Sequence, residues 1–95
     1  MPELLFRVRW PDASVQRCYS PSTVVREFFV PGESYPVADF VVRSRGALTE
    51  ASERVRRGYG FGCAQAAAQL ADIEARAKSF ADGEVVVEGF DDLPA

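Results

Sequence analysis

Histidine is absent from the 95 residues, lysine occurs once, and cysteine occurs twice. The lack of histidine removes the commonest general base near neutral pH and the commonest zinc ligand. It also excludes a Cys-His hydrolase mechanism. Cys18 and Cys63 lie 45 residues apart with no CxxC, so thiolates alone cannot complete a four-ligand zinc site. In a reducing cytosol both are expected as free thiols. No metal or cofactor is expected. No apolar run approaches the roughly 18–20 residues that cross a bilayer. Met1-Pro2-Glu3-Leu4-Leu5-Phe6-Arg7 has no basic segment leading into a long apolar one. Neither membrane association nor a signal peptide is therefore expected, and the cytoplasm is the expected location. No segment recurs at a fixed period, which argues against a solenoid.

What is present suits one globular domain over residues 1–95: 47% apolar and 26% charged residues. The net charge of −3 is unevenly spread. Residues 1–60 carry nine Arg against seven acids, whereas residues 61–95 carry Arg76 and Lys78 against seven acids. Nucleic-acid binding needs a strong basic footprint, and an acidic second half repels phosphate, so no nucleic-acid partner is expected. Ten of the eleven basic residues are Arg and thirteen residues are Ala. GC-rich coding produces that bias by itself, so it carries no functional weight.

Leu4, Phe6 and Val8 alternate with Leu5, Arg7 and Arg9, the period of a half-buried strand. Pro11-Asp12-Ala13-Ser14 is turn chemistry, and Val15–Tyr19 resumes the extended pattern, giving a hairpin. Ser20-Pro21-Ser22-Thr23 reads as a helix start with Ser20 as cap and Pro21 at the first helical position. A short helix through Val24, Val25, Phe28 and Phe29 follows, closed by Pro31-Gly32. Ser34-Tyr35-Pro36 is expected to open a long helix. Its apolar face holds Val37, Phe40, Val41, Leu48, Ala51, Val55 and Tyr59, with Ser44 bonding back to the preceding turn. Gly46 costs about 1 kcal/mol there relative to Ala. Gly58-x-Gly60-x-Gly62 breaks the helix, one glycine taking a left-handed cap. The next helix carries a narrow seam of Cys63, Ala66, Leu70, Ile73, Ala77 and Phe80. Ala64, Ala67, Ala68, Ala71 and Ala75 keep this helix slim. The pairs Glu50–Arg54, Glu53–Arg57, Asp72–Arg76 and Glu74–Lys78 are spaced to support the outer faces. Asp82-Gly83 turns into a strand, Glu84–Phe90, and residues 91–95 read as a frayed tail. The expected fold is α+β: a three-stranded antiparallel sheet, made of the N-terminal hairpin and the C-terminal strand, packed on an antiparallel helical hairpin, with one short extra helix.

Four groups of residues invite chemistry. Cys18 through Thr23, with Ser20, Ser22 and Thr23, is the densest polar cluster and, with Arg17 or Arg26 nearby, would suit a small anion beside helix amides; a strand ending in a capped helix accounts for Ser20 and Pro21 with nothing else and is the preferred reading. Cys63 lies at a helix start, where thiolate is favoured, but it also occupies the first seam position. The glycines at 58, 60 and 62 lack phosphate-loop spacing and follow a helix, so a helix-to-helix turn explains them. Arg43, Arg45, Arg54, Arg56 and Arg57 give the long helix a basic side that either grips an acidic partner or is solvated beside Glu50 and Glu53. Trp10, Tyr35, Tyr59 and Phe61 lie at turns and helix ends, where aromatics either close a core or build an interface.

Arg9-Trp10-Pro11-Asp12, Cys18 through Val25, Tyr35 through Phe40, Ala51 through Arg56, and Tyr59-Gly60-Phe61 resemble the small bacterial nitrogen starvation response proteins. The resemblance spans about residues 3–90. It implies a gene neighbourhood with a nitrilase, a radical SAM protein, a flavin-dependent oxidoreductase and an acetyltransferase, and a role in scavenging nitrogen, including from cyanide. It assigns no role to any residue.

The expected function is a small non-catalytic accessory protein that binds an enzyme of that cluster, or forms a homodimer, through Arg54, Arg57, Tyr59 and Phe61. The alternative is a small-molecule carrier or minor enzyme using a pocket of Arg17, Cys18, Ser20 and Ser22, with Thr23 and Arg26 beside it.

Overall fold

The computed structural model describes residues 3–93. The chain runs β1 (Leu4–Arg9), β2 (Val15–Ser20), a short 3-10 helix (Thr23–Glu27), β3 (Ser34–Pro36), α1 (Val37–Tyr59), α2 (Ala64–Ala77) and β4 (Glu84–Asp92). The sheet order is β2-β1-β4-β3, with every neighbouring pair antiparallel.

The alternation in β1 sends Leu4, Phe6 and Val8 into the interior, where they meet Cys18, Val85 and Val87 from the flanking strands. Phe40, Ala47 and Leu48 of α1 and Ile73 of α2 close this layer from the helical side. Arg45 of α1 meets Glu74 of α2 at 2.7 Å, and Ser52 meets Cys63 at 3.0 Å, so the two helices run antiparallel as expected. The seam holds: Ala66 and Ile73 are buried, and Leu70, Ala77 and Phe80 pack against the core.

The sheet has four strands, not three. Ser34–Pro36, expected to open the helix, pairs instead with β4, Tyr35 opposite Val85. Two causes act together. A residue before proline is pushed out of the helical region, which makes Tyr35 extended. The second edge of β4 also needs partners, since unpaired backbone groups are costly. Pro36 then sits at the N-cap of α1, which has no side-chain cap. The short helix is 3-10, and its cap is Ser22, whose hydroxyl accepts from the Val24 amide at 3.2 Å. Ser20, expected as the cap, instead donates to the Ser22 carbonyl at 2.6 Å.

Residues 91–92 are not frayed. Asp91 and Asp92 continue β4 opposite Leu5 and Leu4 and bind Arg7 and Arg26, both at 2.7 Å. Pro94 and Ala95 lie outside the described residues. Three of the four expected helix-surface pairs are also replaced, two of them by partners on other elements. Asp72 and Arg76 turn to Gln16 and Ser14 of the β-hairpin, and Glu74 turns to Arg45. A partner on another element lay within reach in each case. Glu50–Arg54 forms as expected, but Arg57 reaches Glu50, leaving Glu53 to Arg56.

Gly46 is explained by packing. A Cβ there would sit 3.0 Å from the Phe28 ring, so glycine lets that ring lie against α1. Ser44 is fully buried, and its hydroxyl has no hydrogen-bond partner, in contrast to the expected bond to the preceding turn. A buried unpaired hydroxyl costs about 1–3 kcal/mol. Ser44→Ala is therefore expected to raise stability by about 1 kcal/mol, read as a higher denaturation midpoint with unchanged slope. In the β1–β2 turn, Ala13 holds φ +70 between hydrogen bonds Trp10 N–H to Ser14 O and Ala13 N–H to Trp10 O. Glycine suits that conformation best, so Ala13→Gly is expected to raise stability by about 0.5–1 kcal/mol in the same measurement.

Candidate functional site

The predicted small-molecule residues are not brought to one surface. β2 alternates, so Cys18 points inward at 0% exposure while Arg17 points to the opposite face, directly across from Arg7. Burial, and next the Asp72 carboxylate, push the Cys18 thiol up to about 12. The Ser20 and Ser22 hydroxyls are buried and occupied with local backbone groups. Thr23 is exposed. Arg26 is exposed as well, bound to Asp92 and stacked 5.1 Å over the Phe90 ring. Among the described residues no group of three or more Cys, Asp or Glu side chains is placed to hold a metal ion.

The predicted interaction residues do come together, at the joint between α1 and α2. Gly60 takes the left-handed cap, φ 86, and its N–H donates to the Arg56 carbonyl at 2.7 Å. Four residues on, Ala64 begins α2 behind Cys63. The Ser52 hydroxyl accepts from the Cys63 amide at 3.0 Å and lies 3.0 Å from where a Gly62 Cβ would be. The joint is thus folded back onto α1, and its two aromatic side chains are left outside. Tyr59 is 61% and Phe61 70% exposed. Arg54 and Arg57 flank them, both drawn to Glu50.

Beside the joint, Glu3, Tyr19, Pro21, Val55, Cys63 and Gln65 line a shallow hollow of about 270 Å³ with Tyr59 at its rim. The Tyr19 hydroxyl donates to Glu3 at 2.5 Å. Burial, and next that hydrogen bond, raise the phenol above its ordinary range, so it stays protonated.

Magnitudes separate the contributors at the joint. Burying an aromatic side chain is worth roughly 1.5–3 kcal/mol, whereas an exposed ion pair gives about 0–1 kcal/mol. Tyr59 and Phe61 therefore dominate what this surface gains on contact, and the arginines tune it.

A second surface escaped the sequence reading. At the open end of the helical hairpin, Val37, Val41, Val42, Ala77 and Phe80 line a groove of about 750 Å³, with Lys78 and Asp82 among its polar lining. Val42 is 61% exposed. The available signal was Val42 itself, an apolar residue one position off the buried face of α1.

The two thiols differ in their surroundings. Cys63 is half-buried at the joint, whereas Cys18 is sealed in the core. In native protein at pH 8, a thiol reagent is expected to label one site quickly, with the second reacting only in denaturant. Cys63→Ser should abolish the fast phase and Cys18→Ser should leave it intact; rapid native labelling of Cys18 would contradict the burial.

No curated protein and no solved structure gives a significant match to this chain. The family described as "Nitrogen starvation-induced protein NitG" matches residues 5–90. That match takes in both surfaces, the aromatic joint and the open-end groove, and the chain belongs to this nitrogen starvation-induced family.

Proposed function

We propose that the protein is a non-catalytic accessory factor of the nitrogen starvation response that docks on a partner enzyme through the joint of its helical hairpin. The observation carrying this reading is the pair of exposed aromatics, Tyr59 at 61% and Phe61 at 70%, held out by a joint that is itself tied down. Exposed aromatics beside arginines are the composition enriched at binding hot spots. Of the nine other aromatics, Phe6, Trp10, Phe29, Tyr35 and Phe40 are buried and Tyr19, Phe28, Phe80 and Phe90 are half-buried. The partner class follows from the gene neighbourhood that the family resemblance implies, with the nitrilase as the first candidate. The small-molecule reading has less support, because Cys18, Ser20 and Ser22 are buried and occupied with packing or local hydrogen bonds.

The test is titration of the purified chain into the neighbouring nitrilase, followed by calorimetry and by enzyme activity. Saturable binding is expected, weakened at least tenfold by Phe61→Ser and more by adding Tyr59→Ser. Arg57→Ala is expected to weaken it by less than threefold. Undiminished binding by the doubly substituted joint, or no binding to any enzyme of the cluster, would sink the proposal.

A further inference from the structure

We infer that the hollow beside the joint is a binding site for a primary alkylammonium group, held by Glu3, Tyr19 and Gln65 against Tyr59. Glu3 is the one formally charged side chain in its lining. No ion pair among the described residues takes that carboxylate. Its Oε2 accepts from the Tyr19 phenol, which leaves Oε1 facing no partner among those residues. The arginines at this end of α1 do not supply the missing charge. Arg54 and Arg57 are drawn to Glu50 and Arg56 to Glu53, and none of them lines the hollow. Helix dipoles do not decide the sign either, because α1 ends and α2 begins at this joint, which brings their opposite poles together. The charge facing the hollow is therefore negative. It favours a cation and disfavours a carboxylate or phosphate.

The lining also selects the kind of cation. A primary ammonium carries three N–H donors and no acceptor. Three acceptors meet it here: Glu3 Oε1, the Tyr19 phenol oxygen, whose proton is committed to Glu3, and the Gln65 amide carbonyl. The Tyr19 and Tyr59 rings attract positive charge through their faces, and Pro21 and Val55 give an apolar wall for the alkyl stem. A bare metal ion fits poorly, since no group of three or more Cys, Asp or Glu side chains is placed to hold one among the described residues. At about 270 Å³ the space falls below the roughly 300–1,000 Å³ of drug-sized sites, so it suits a short amine. The groups are fixed in advance. The Leu93 amide donates to the Glu3 carbonyl at 3.0 Å, the Tyr19 amide to Gln69 of α2 at 2.9 Å, and the Cys63 amide to Ser52 at 3.0 Å. Such preorganisation lowers the cost of binding. The ammonium group comes either from a free amine or from a lysine side chain of a docked partner.

The experiment is NMR titration of the isotope-labelled full chain with n-butylammonium, alongside butyrate, 1-butanol and N,N,N-trimethylbutylammonium. Saturable shifts are expected at the amides of Tyr19, Cys63 and Gln65, with a Kd in the millimolar range that a handful of non-hydrogen atoms allows. Butyrate and butanol are expected to give no saturable shift there. The trimethylated amine keeps the charge but has no N–H donor, so it is expected to bind at least threefold more weakly. Glu3→Gln is expected to weaken butylammonium binding at least tenfold. Gln65→Ala, at an exposed position of α2, is expected to weaken it about threefold. The amide spectrum shows whether each variant is folded; should Glu3→Gln not fold, Gln65→Ala and the probe series decide. Butyrate binding as well as butylammonium, the trimethylated amine binding as tightly, undiminished binding by folded Glu3→Gln, or no saturable shift at the hollow overturns the inference. The titration needs no partner, so its failure and the failure of the docking reading are separate results. Adding butylammonium to the titration of the chain into the nitrilase identifies the source. Displacement of the enzyme, with butanol inert, assigns the hollow to a partner lysine, and undisturbed enzyme binding assigns it to a free amine.

Discussion

Trp10 joins the three parts that must meet for this fold to close. It sits at the end of β1, with its ring stacked on Phe80 beyond α2 at 5.6 Å and edge-on to Phe40 of α1 at 5.5 Å. Its indole N–H donates to Gln16 of β2 at 2.9 Å, and the Arg76 guanidinium of α2 lies 5.6 Å from the ring centroid. Each aromatic pair adds about 0.5–1.5 kcal/mol beyond its buried area. The surface ion pairs, each worth about 0–1 kcal/mol, are more numerous but do not hold the layers together. Trp10 also explains why Asp72 and Arg76 leave their helical neighbours. Gln16 must stay oriented toward the indole, and Asp72 accepts from its amide while Arg76 donates to its carbonyl.

A bulge in the sheet fixes the other end of the molecule. Arg7 pairs with Gly89 but Val8 pairs with Val87, so Glu88 is an extra residue in β4. Inserting one residue reverses the alternation beyond it. Phe90 thereby lands opposite Phe6 and packs against the core. Glu88 and Asp91 both reach Arg7, and Asp92 becomes available to Arg26.

The elements with strong periodicity were legible from residue order alone. The β1–β2 hairpin, both long helices, a glycine cap at their joint and the seam through Ile73 all follow from local pattern. β3 was not legible, because three residues between two turns have no periodicity to read; only the Tyr35-Pro36 step and the open edge of β4 specify it. The bulge at Glu88 was equally invisible, since Glu84–Phe90 reads as one plain strand until its partner is known. Of the candidate site, the place of Tyr59 and Phe61 in a glycine-broken joint was legible, while their exposure was not, since aromatics at such a joint either close a core or stand outside it. The Cys18 cluster looked functional because polar residues adjacent in sequence suggest a common surface. β2 sends successive side chains to opposite faces, which sequence proximity conceals.

The same geometry governs what the protein offers to others. Ser20 and Ser22 join β2 to the 3-10 helix through hydrogen bonds and Cys18 is buried in the core, so that segment is committed to folding. α1 has 23 residues and α2 only 14, so the shorter helix does not cover the longer one along its whole length. At one end, α2 begins only after the joint has turned, and nothing covers Tyr59 and Phe61. At the other, the chain leaves α2 for the turn at Gly83, whose carbonyl accepts from the Val37 amide at 3.1 Å. That bond ties the start of α1 to the sheet and leaves Val42, one turn farther along, facing outward. The unequal helix lengths therefore leave apolar side chains exposed at both ends of the hairpin, Tyr59 and Phe61 at the joint and Val42 toward the other end.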